Sequence, residues 1–124
     1  MISSKENNIN YSFLNKYSCP LEATVETIGG KWKGVILYHL LDGKKRFNEL
    51  KRLKPNITQR MLTLQLRELE ADGLIHREVY REVPPKVEYS LTELGESLRP
   101  IILLMMEWAI TNMEKVLENR NNNE

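Results

Sequence analysis

Two neighbouring apolar patterns, separated by a proline, constrain the fold of this chain more than any other feature. Residues 47–53 carry an apolar side chain at every third position, and the pattern stops at Pro55-Asn56. A second pattern starts after Thr58, a good helix N-cap, and stops at Gly73. Its apolar stripe consists of Leu62, Leu66 and Leu69. The spacing predicts two short helices that meet at a tight turn and each bury one face.

The segments on either side of this helix pair complete an ordered series of elements. Before it, apolar spacing predicts helices over residues 20–28 and 31–41. After it, residues 74–80 and 87–91 favour strands, and residues 83–86 favour a turn between them. The order of helices, tight turn, helix and hairpin is that of a winged helix-turn-helix. We therefore predict an α+β, mainly α fold with a two-stranded wing.

A long last helix is predicted to start at its cap Thr92, to kink at Pro100 and to reach about Leu117. Beyond the proline it carries two apolar stripes, which is more apolar width than a small domain covers. The stripes are Ile101, Met105 and Trp108, and Ile102, Met106, Ala109 and Met113. One stripe is expected to pack against a second copy of the chain. The alternatives are that both lie in the core or that the second binds a ligand.

The length and composition fit one domain, since 124 residues with 41% hydrophobic side chains are enough for a single core. We assign residues 17–118 to that domain, residues 1–16 to a flexible N-terminal arm and residues 119–124 to a disordered tail. The longest apolar run, residues 101–106, is far shorter than the roughly 20 residues that a membrane span needs. The first residues are polar, so we expect no signal peptide and a cytoplasmic location.

The charges are unevenly distributed, although the formal net charge is only +1. Between residues 44 and 67 there is one acid, Glu49. The basic residues of this segment are Lys44, Lys45, Arg46, Lys51, Arg52, Lys54, Arg60 and Arg67. A local cationic segment suggests a surface for a polyanion, because phosphate contacts release condensed counterions. An ordinary solvated charged face is the alternative.

Polar residues occupy the outward side of the second helix in the pair. These are Gln59, Arg60, Thr63 and Arg67. The second helix of a helix-turn-helix enters the major groove of DNA, where arginine pairs with guanine and glutamine with adenine. Threonine can offer its hydroxyl and its methyl group to a base edge. We therefore predict that this polar stripe reads the bases of double-stranded DNA.

Other polar residues around the helix pair are predicted to hold the DNA backbone rather than to read it. The predicted phosphate contacts are Lys31, Lys33, Lys45, Lys51, Arg52 and Thr58. At the hairpin, Arg81 and Lys86 can contact phosphates or the minor groove. The acid Glu82 lies beside them and weakens this signal.

From Cys19 to Trp108 the sequence resembles the HxlR-type winged helix regulators of bacteria, which are relatives of the MarR group. The motifs that carry the resemblance are Cys19-Pro20, Gly29-Gly30-Lys31-Trp32, Arg46-Phe47-Asn48-Glu49-Leu50, Leu66-Arg67-Glu68-Leu69-Glu70, Asp72-Gly73-Leu74-Ile75, the stretch from Pro84 to Thr92, and Leu94-Gly95. The resemblance implies a homodimer on a two-fold symmetric operator, with repression as the commoner outcome. It also implies that the first and last helices form the subunit contact. We assign to that contact Leu21, Val25, Ile102, Met105, Met106, Trp108, Ala109 and Met113.

Cys19 is the single cysteine, which excludes an intrachain disulfide and a multi-cysteine zinc site. Some regulators that this chain resembles use a cysteine at this position to sense electrophiles or oxidants. The dipole of a helix that starts here favours the thiolate, whereas Glu22 opposes it. A sensing role and a packing role for Cys19 both remain open, and a small effector is another possible signal.

Three classes of function compete at this point. The first is a DNA-binding regulator, and the second is a winged helix that binds an acidic protein instead of DNA. An enzyme is the third, but Cys19, His39 and His76 are the only thiol and imidazoles, and no catalytic motif accompanies them. We therefore expect a regulator without catalytic residues, metal or cofactor.

Overall fold

The computed structural model describes residues 9–123. In this part of the chain the helices are α1 (Pro20–Ile28), α2 (Lys33–Leu40), α3 (Phe47–Leu53), α4 (Gln59–Ala71), α5 (Glu93–Glu96) and α6 (Arg99–Asn122). The strands are β1 (Lys45–Arg46), β2 (Ile75–Tyr80) and β3 (Lys86–Leu91), and a 3-10 helix, Ser12–Asn15, precedes α1. The architecture is the predicted winged helix-turn-helix with a long C-terminal helix, so the fold class is confirmed.

Local signals define both ends of α4. Thr58 Oγ1 accepts a hydrogen bond from the Met61 amide at 3.0 Å and satisfies one free amide of the first turn. At the other end, Gly73 has a φ of +76°, which glycine adopts without the steric cost of a Cβ. The Leu74 amide then donates to the Leu69 carbonyl at 3.0 Å. The predicted limits of this helix are confirmed.

The core lies where α4 packs against α2 and the sheet. The predicted leucine stripe is buried, and it joins Leu37 of α2 and Ile75 of β2 in one apolar cluster. The members of the stripe are Leu62, Leu66 and Leu69. Each buried leucine side chain stabilises the fold by about 1.5–3 kcal/mol. The inward side of α4 is thereby held in place, and its opposite side faces solvent.

The sheet has the strand order β1-β3-β2 and is antiparallel throughout. Strands β2 and β3 form the predicted hairpin, called the wing below, in a register that places Arg77 opposite Tyr89. Strand β1 pairs with the other edge of β3, with Arg46 opposite Glu88. The prediction of two strands missed β1, because two charged residues carry no apolar alternation.

The segment after the wing differs from the single kinked helix that was predicted. Thr92 is a cap, since its Oγ1 accepts a hydrogen bond from the Gly95 amide at 3.1 Å, but α5 ends at Glu96. Helix α6 begins at Arg99, and Pro100 lies in its first turn. A proline ring clashes with the carbonyl four residues earlier, here that of Glu96, which favours a break over a kink. The first turn of a new helix tolerates proline because its amides have no intrahelical partner.

Both ends of the described chain contain helical residues outside the predicted domain limits. Helix α6 continues to Asn122, so residues 119–122 of the predicted disordered tail are helical. Residues 12–15 of the predicted flexible arm form the 3-10 helix, whereas residues 1–8 of that arm and residue 124 lie outside the described residues. No helix within the described part has the length and apolar character needed to cross a membrane.

Candidate nucleic-acid interface

The outward side of α4 starts with two exposed polar side chains, Gln59 and Arg60. They directly follow the cap at Thr58 and therefore occupy the first helical turn. The leucine stripe holds the other side of the helix in the core, so this turn is presented to solvent on a rigid support. A glutamine amide and an arginine guanidinium in this position can make paired hydrogen bonds to base edges.

One turn further along, Thr63 is half-buried. Its hydroxyl donates a hydrogen bond to the Gln59 carbonyl at 2.9 Å, so its methyl group and free lone pairs remain for an external contact. Leu64 follows with 46% of its surface exposed, although the sequence patterns did not single it out. The sequence did contain one sign of its exposure, because Leu64 lies outside the apolar stripe and four residues after Arg60, on the same side of the helix. Apolar side chains on a groove-facing helix contact the methyl group of thymine.

Arg67, the last member of the predicted base-reading stripe, lines a cleft between α4 and the wing. The cleft has a volume of about 340 Å³. Its lining residues are Thr63, Leu66, Arg67, Glu70, Arg77 and Tyr89. Arg77 was not among the predicted site residues, because its position facing α4 follows from the strand register. The structure thus brings a second arginine beside Arg67.

Several predicted phosphate contacts are engaged inside the chain. Lys33 Nζ lies 3.1 Å from the Glu68 carboxylate, with only 14% of the lysine side chain exposed. Lys45 Nζ lies 2.7 Å from the Asp42 carboxylate and holds the pKa of Asp42 below its ordinary value. These ion pairs leave the two lysines less free for a phosphate: Lys33 ties α2 to α4, and Lys45 ties β1 to the preceding turn. Thr58 acts as a hydrogen-bond acceptor in its cap, so its hydroxyl hydrogen remains available.

The other predicted phosphate contacts keep their charge at the surface. Lys51 Nζ donates to the Pro55 carbonyl at 2.9 Å and so closes the turn between α3 and α4. Arg52 and Lys31 are exposed, and Lys31 Nζ lies 5.0 Å from the centre of the Trp32 ring. Lys51 and Arg52 both lie in the last turn of α3, beside α4, whereas Lys31 lines the groove between α1, α2 and α6.

The carboxylate of Glu88, in the middle of the wing, links the wing to the segment before α3. The Tyr80 hydroxyl and Lys44 hold the pKa of Glu88 below its ordinary value, and Lys44 Nζ lies 3.5 Å from this carboxylate. Lys86 Nζ lies 4.5 Å from the centre of the Tyr80 ring. Arg81 is exposed just after β2. The predicted wing contacts, Arg81 and Lys86, therefore project from a hairpin that is anchored to the segment before α3.

The profile of the family described as HxlR-like helix-turn-helix matches residues 27–117. The chain belongs to this family. YybR of Bacillus subtilis (strain 168), an HTH-type transcriptional regulator, is 62% identical to this HxlR-like chain over 120 residues, which cover 97% of this chain and 93% of YybR. The family predicted from the motifs is confirmed, and the chain is a DNA-binding helix-turn-helix transcriptional regulator. The family is one of regulators rather than enzymes.

Solved structures of similar sequence share the fold of this HxlR-like regulator. The redox regulator HypR in its reduced form is 66% identical, with a TM-score of 0.77 over 82% of this chain and 99% of that one. Its oxidised form is 69% identical, with a TM-score of 0.74 over 76% and 97%. The reduced form of the transcriptional regulator YodB from B. subtilis is 40% identical, with a TM-score of 0.69 over 78% and 96%.

Cys19 occupies the N-cap position of α1 in this HxlR-like regulator and is exposed. Its side chain makes no capping hydrogen bond. The nearby Glu22 accepts a hydrogen bond from the Ser18 hydroxyl at 2.6 Å. Exposure argues against a packing role within a single copy and leaves the thiol accessible to reagents.

An open apolar groove of about 810 Å³ lies between α1, α2 and α6, on what we call the apolar face. Six of the eight predicted dimer-contact residues line it: Leu21, Val25, Ile102, Met105, Met106 and Ala109. Trp108 is 56% exposed, and Met113 is half-buried. Ile102 is only 4% exposed and belongs to the core of its own chain, so its assignment to the dimer contact is corrected. The reason is that the start of α6 packs onto α2 and turns this residue inward.

Three basic side chains, Lys31, His39 and Lys54, also line the groove. Partial burial lowers the pKa of His39, and the positive charges of Lys54 and Lys45 lower it further, while Asp42 opposes them. Burial in apolar surroundings disfavours the charged imidazolium, as does a neighbouring ammonium group. The surroundings of His39 on the apolar face therefore disfavour its protonation.

Proposed function

We propose that this regulator binds a two-fold symmetric operator in double-stranded DNA as a homodimer, and that it acts in the cytoplasm as a repressor. The observation that carries the proposal is the exposed first turn of α4, with Gln59 and Arg60 beside an anchored wing. Recognition helices contact base edges with their N-terminal residues. Arg60 suits a guanine and Gln59 an adenine, which gives the first turn two different base preferences.

The remaining contacts divide by chemistry into those that read bases and those that hold the backbone. Thr63 and Leu64 extend the reading surface by one turn, since both can meet a thymine methyl group. The phosphate contacts are supplied by Lys31, Lys51, Arg52, Thr58, Arg81 and Lys86. These residues contribute affinity that is independent of sequence and that falls with salt.

Selection of bound oligonucleotides from a random pool, followed by footprinting, tests the operator proposal. We expect a palindrome whose half-sites lie about 34 Å, or one helical turn, apart. Log affinity should fall linearly with log salt, by about 0.9 for each neutralised phosphate. Undetectable or salt-insensitive binding would instead favour the alternative that the winged helix contacts an acidic protein partner.

The homodimer proposal is supported by apolar surface that one copy does not cover. Leu21 and Val25 of α1 and Met105 and Trp108 of α6 are each more than half exposed. Contiguous apolar patches of this kind mark interaction surfaces in soluble proteins. A two-fold contact would bury the same patch on both copies, which places two recognition helices at a fixed spacing.

We also propose that Cys19 controls operator binding. It is exposed at the start of α1, a helix of the proposed dimer contact, so an adduct there would alter the spacing of the recognition helices. A two-electron oxidant such as diamide would join the Cys19 sulfur to a second thiol, with loss of both thiol protons to the reduced oxidant. The second thiol is a small cellular thiol or the partner subunit's Cys19. The likeness to HypR, with its oxidised and reduced forms, supports this proposal.

Operator binding in the presence of diamide or a quinone tests the role of the thiol. We expect a changed affinity for the wild type and no change for Cys19→Ser. Mass spectrometry without reductant then separates a small-thiol adduct from a covalent dimer. An equal response of both proteins would eliminate Cys19 as the sensor and leave a small effector as the signal.

A further inference from the structure

Two arginines from different elements meet in the cleft between α4 and the wing. Arg67 comes from the third turn of α4 and Arg77 from the middle of β2, and both are exposed. None of the ion pairs in the described part of the chain involves either guanidinium. The cleft therefore presents two positive charges that no carboxylate of residues 9–123 neutralises by direct contact.

The strand register explains why Arg77 faces the recognition helix rather than the open side of the sheet. Arg77 is paired with Tyr89, and Ile75 is paired with Leu91, two residues along the same strands. Residues two apart in a strand point to the same face, so Arg77 shares the face of the buried Ile75 and Tyr89. This face packs against α4. The guanidinium thus extends from the edge of the core into the gap between the two proposed DNA-binding elements.

We propose that Arg77, together with Arg67, binds one phosphodiester group of the DNA strand that passes between the recognition helix and the wing. This inference rests on the proposed operator binding and deepens it. A guanidinium offers a planar fork of donors that matches two phosphate oxygens, and two such groups can enclose one phosphate. Arg67 then holds the backbone at a fixed register instead of reading a base.

Glu70 also lines this cleft, so its carboxylate allows a second test of the proposal with an effect of opposite sign. A carboxylate beside a bound phosphate repels it, so removing the charge of Glu70 should strengthen binding. Removing the charge of Arg77 should weaken binding. An anion bound in the cleft predicts opposite effects of these two charge changes.

The experiment compares the full-length wild type with Arg77→Gln, Arg77→Lys and Glu70→Gln on one operator oligonucleotide over a range of KCl concentrations. Arg77→Gln should bind about tenfold more weakly, with a slope of log affinity against log salt that is smaller by up to about 0.9. Arg77→Lys should be intermediate, because it keeps the charge and loses the fork. Glu70→Gln should bind several-fold more tightly. Arg120→Gln removes the same charge near the end of α6 and should bind as the wild type does.

Base preference gives the decisive readout. A phosphate contact weakens all sequences alike, so the preference at every operator position should be unchanged in Arg77→Gln. A changed preference at one base would overturn the proposal, as would wild-type affinity in Arg77→Gln or in Glu70→Gln. Thermal melts confirm that each variant is folded. If the wild type binds no DNA, the proposed function itself is wrong. If the wild type binds but the Arg77 and Glu70 variants bind equally well, only this inference is wrong.

Discussion

The two sides of this regulator use their apolar side chains in opposite ways. On α4 the leucine stripe is buried and polar residues point outward, whereas on α6 Leu104, Met105 and Trp108 are all more than half exposed. The apolar side of α4 is thus buried within one copy of the chain, whereas that of α6 remains largely exposed. The contrast indicates why one side is suited to a polyanion and the other to a second copy of the chain.

Introducing a charge on the apolar face is expected to have the largest effect. Trp108→Glu places a carboxylate in the proposed dimer contact and should give a monomer in light scattering. Operator affinity should then fall by about 10²–10⁴-fold, because the second half-site is no longer bound by a linked recognition helix. Leu94→Glu is the matched control, since Leu94 of α5 has the same exposed fraction, 56%, outside this face. Dimers of unchanged affinity in Trp108→Glu would show that the apolar face is not the subunit contact.

Removing a base-reading side chain from α4 should have a smaller and sequence-dependent effect. Arg60→Ala is expected to cost about 1–3 kcal/mol of operator binding and to relax the preference at one base pair. Arg52→Ala, which removes a backbone contact of the same charge, should weaken all sequences alike. Quantitative binding to a set of single-base operator variants distinguishes the two. If both changes weakened binding to all operator variants equally, Arg60 would not be a base contact distinct from the backbone contact of Arg52.

The cap of α4 provides a test of stability rather than binding. Thr58→Ala removes the acceptor of the Met61 amide and should lower the free energy of unfolding by about 1 kcal/mol in urea. Thr111→Ala is the control within α6, where alanine is the better helix former and no loss is expected. Equal effects at the two sites would mean that the α4 cap contributes nothing specific.

The smallest expected effect concerns pH and the apolar face. Burial, Lys54 and Lys45 hold the pKa of His39 below its ordinary value near 6.5. The unfolded chain therefore takes up a proton at a higher pH than the folded chain, and stability should decline as pH falls from about 7 through the lowered pKa. His39→Gln should flatten this decline in urea titrations, whereas His76→Gln should retain it. A decline that is the same in all three proteins would exclude His39 as its source.

Much of the DNA-facing half could be predicted from local signals. The cap at Thr58, the leucine period and Gly73 define α4, because capping and helical periodicity depend on residues close in sequence. The break before Pro100 also has a local cause, the clash of the proline ring with the carbonyl of Glu96, but a kink was predicted instead of a break. Strand β1 could not be predicted, because its two residues show no alternation of apolar and polar side chains.

Spacings of a few residues predict the order of the main helices and the wing, and which side of α4 is buried, but they predict neither β1 nor the break between α5 and α6. Which charges remain free depends on contacts between elements that are far apart in the chain. Lys33 is neutralised by Glu68 of a different helix, Ile102 is enclosed by its own core, and Arg77 is brought to Arg67 by the register of the wing. The physical reason is that ion pairing and burial depend on distances across the fold, which side-chain periodicity along one element does not specify.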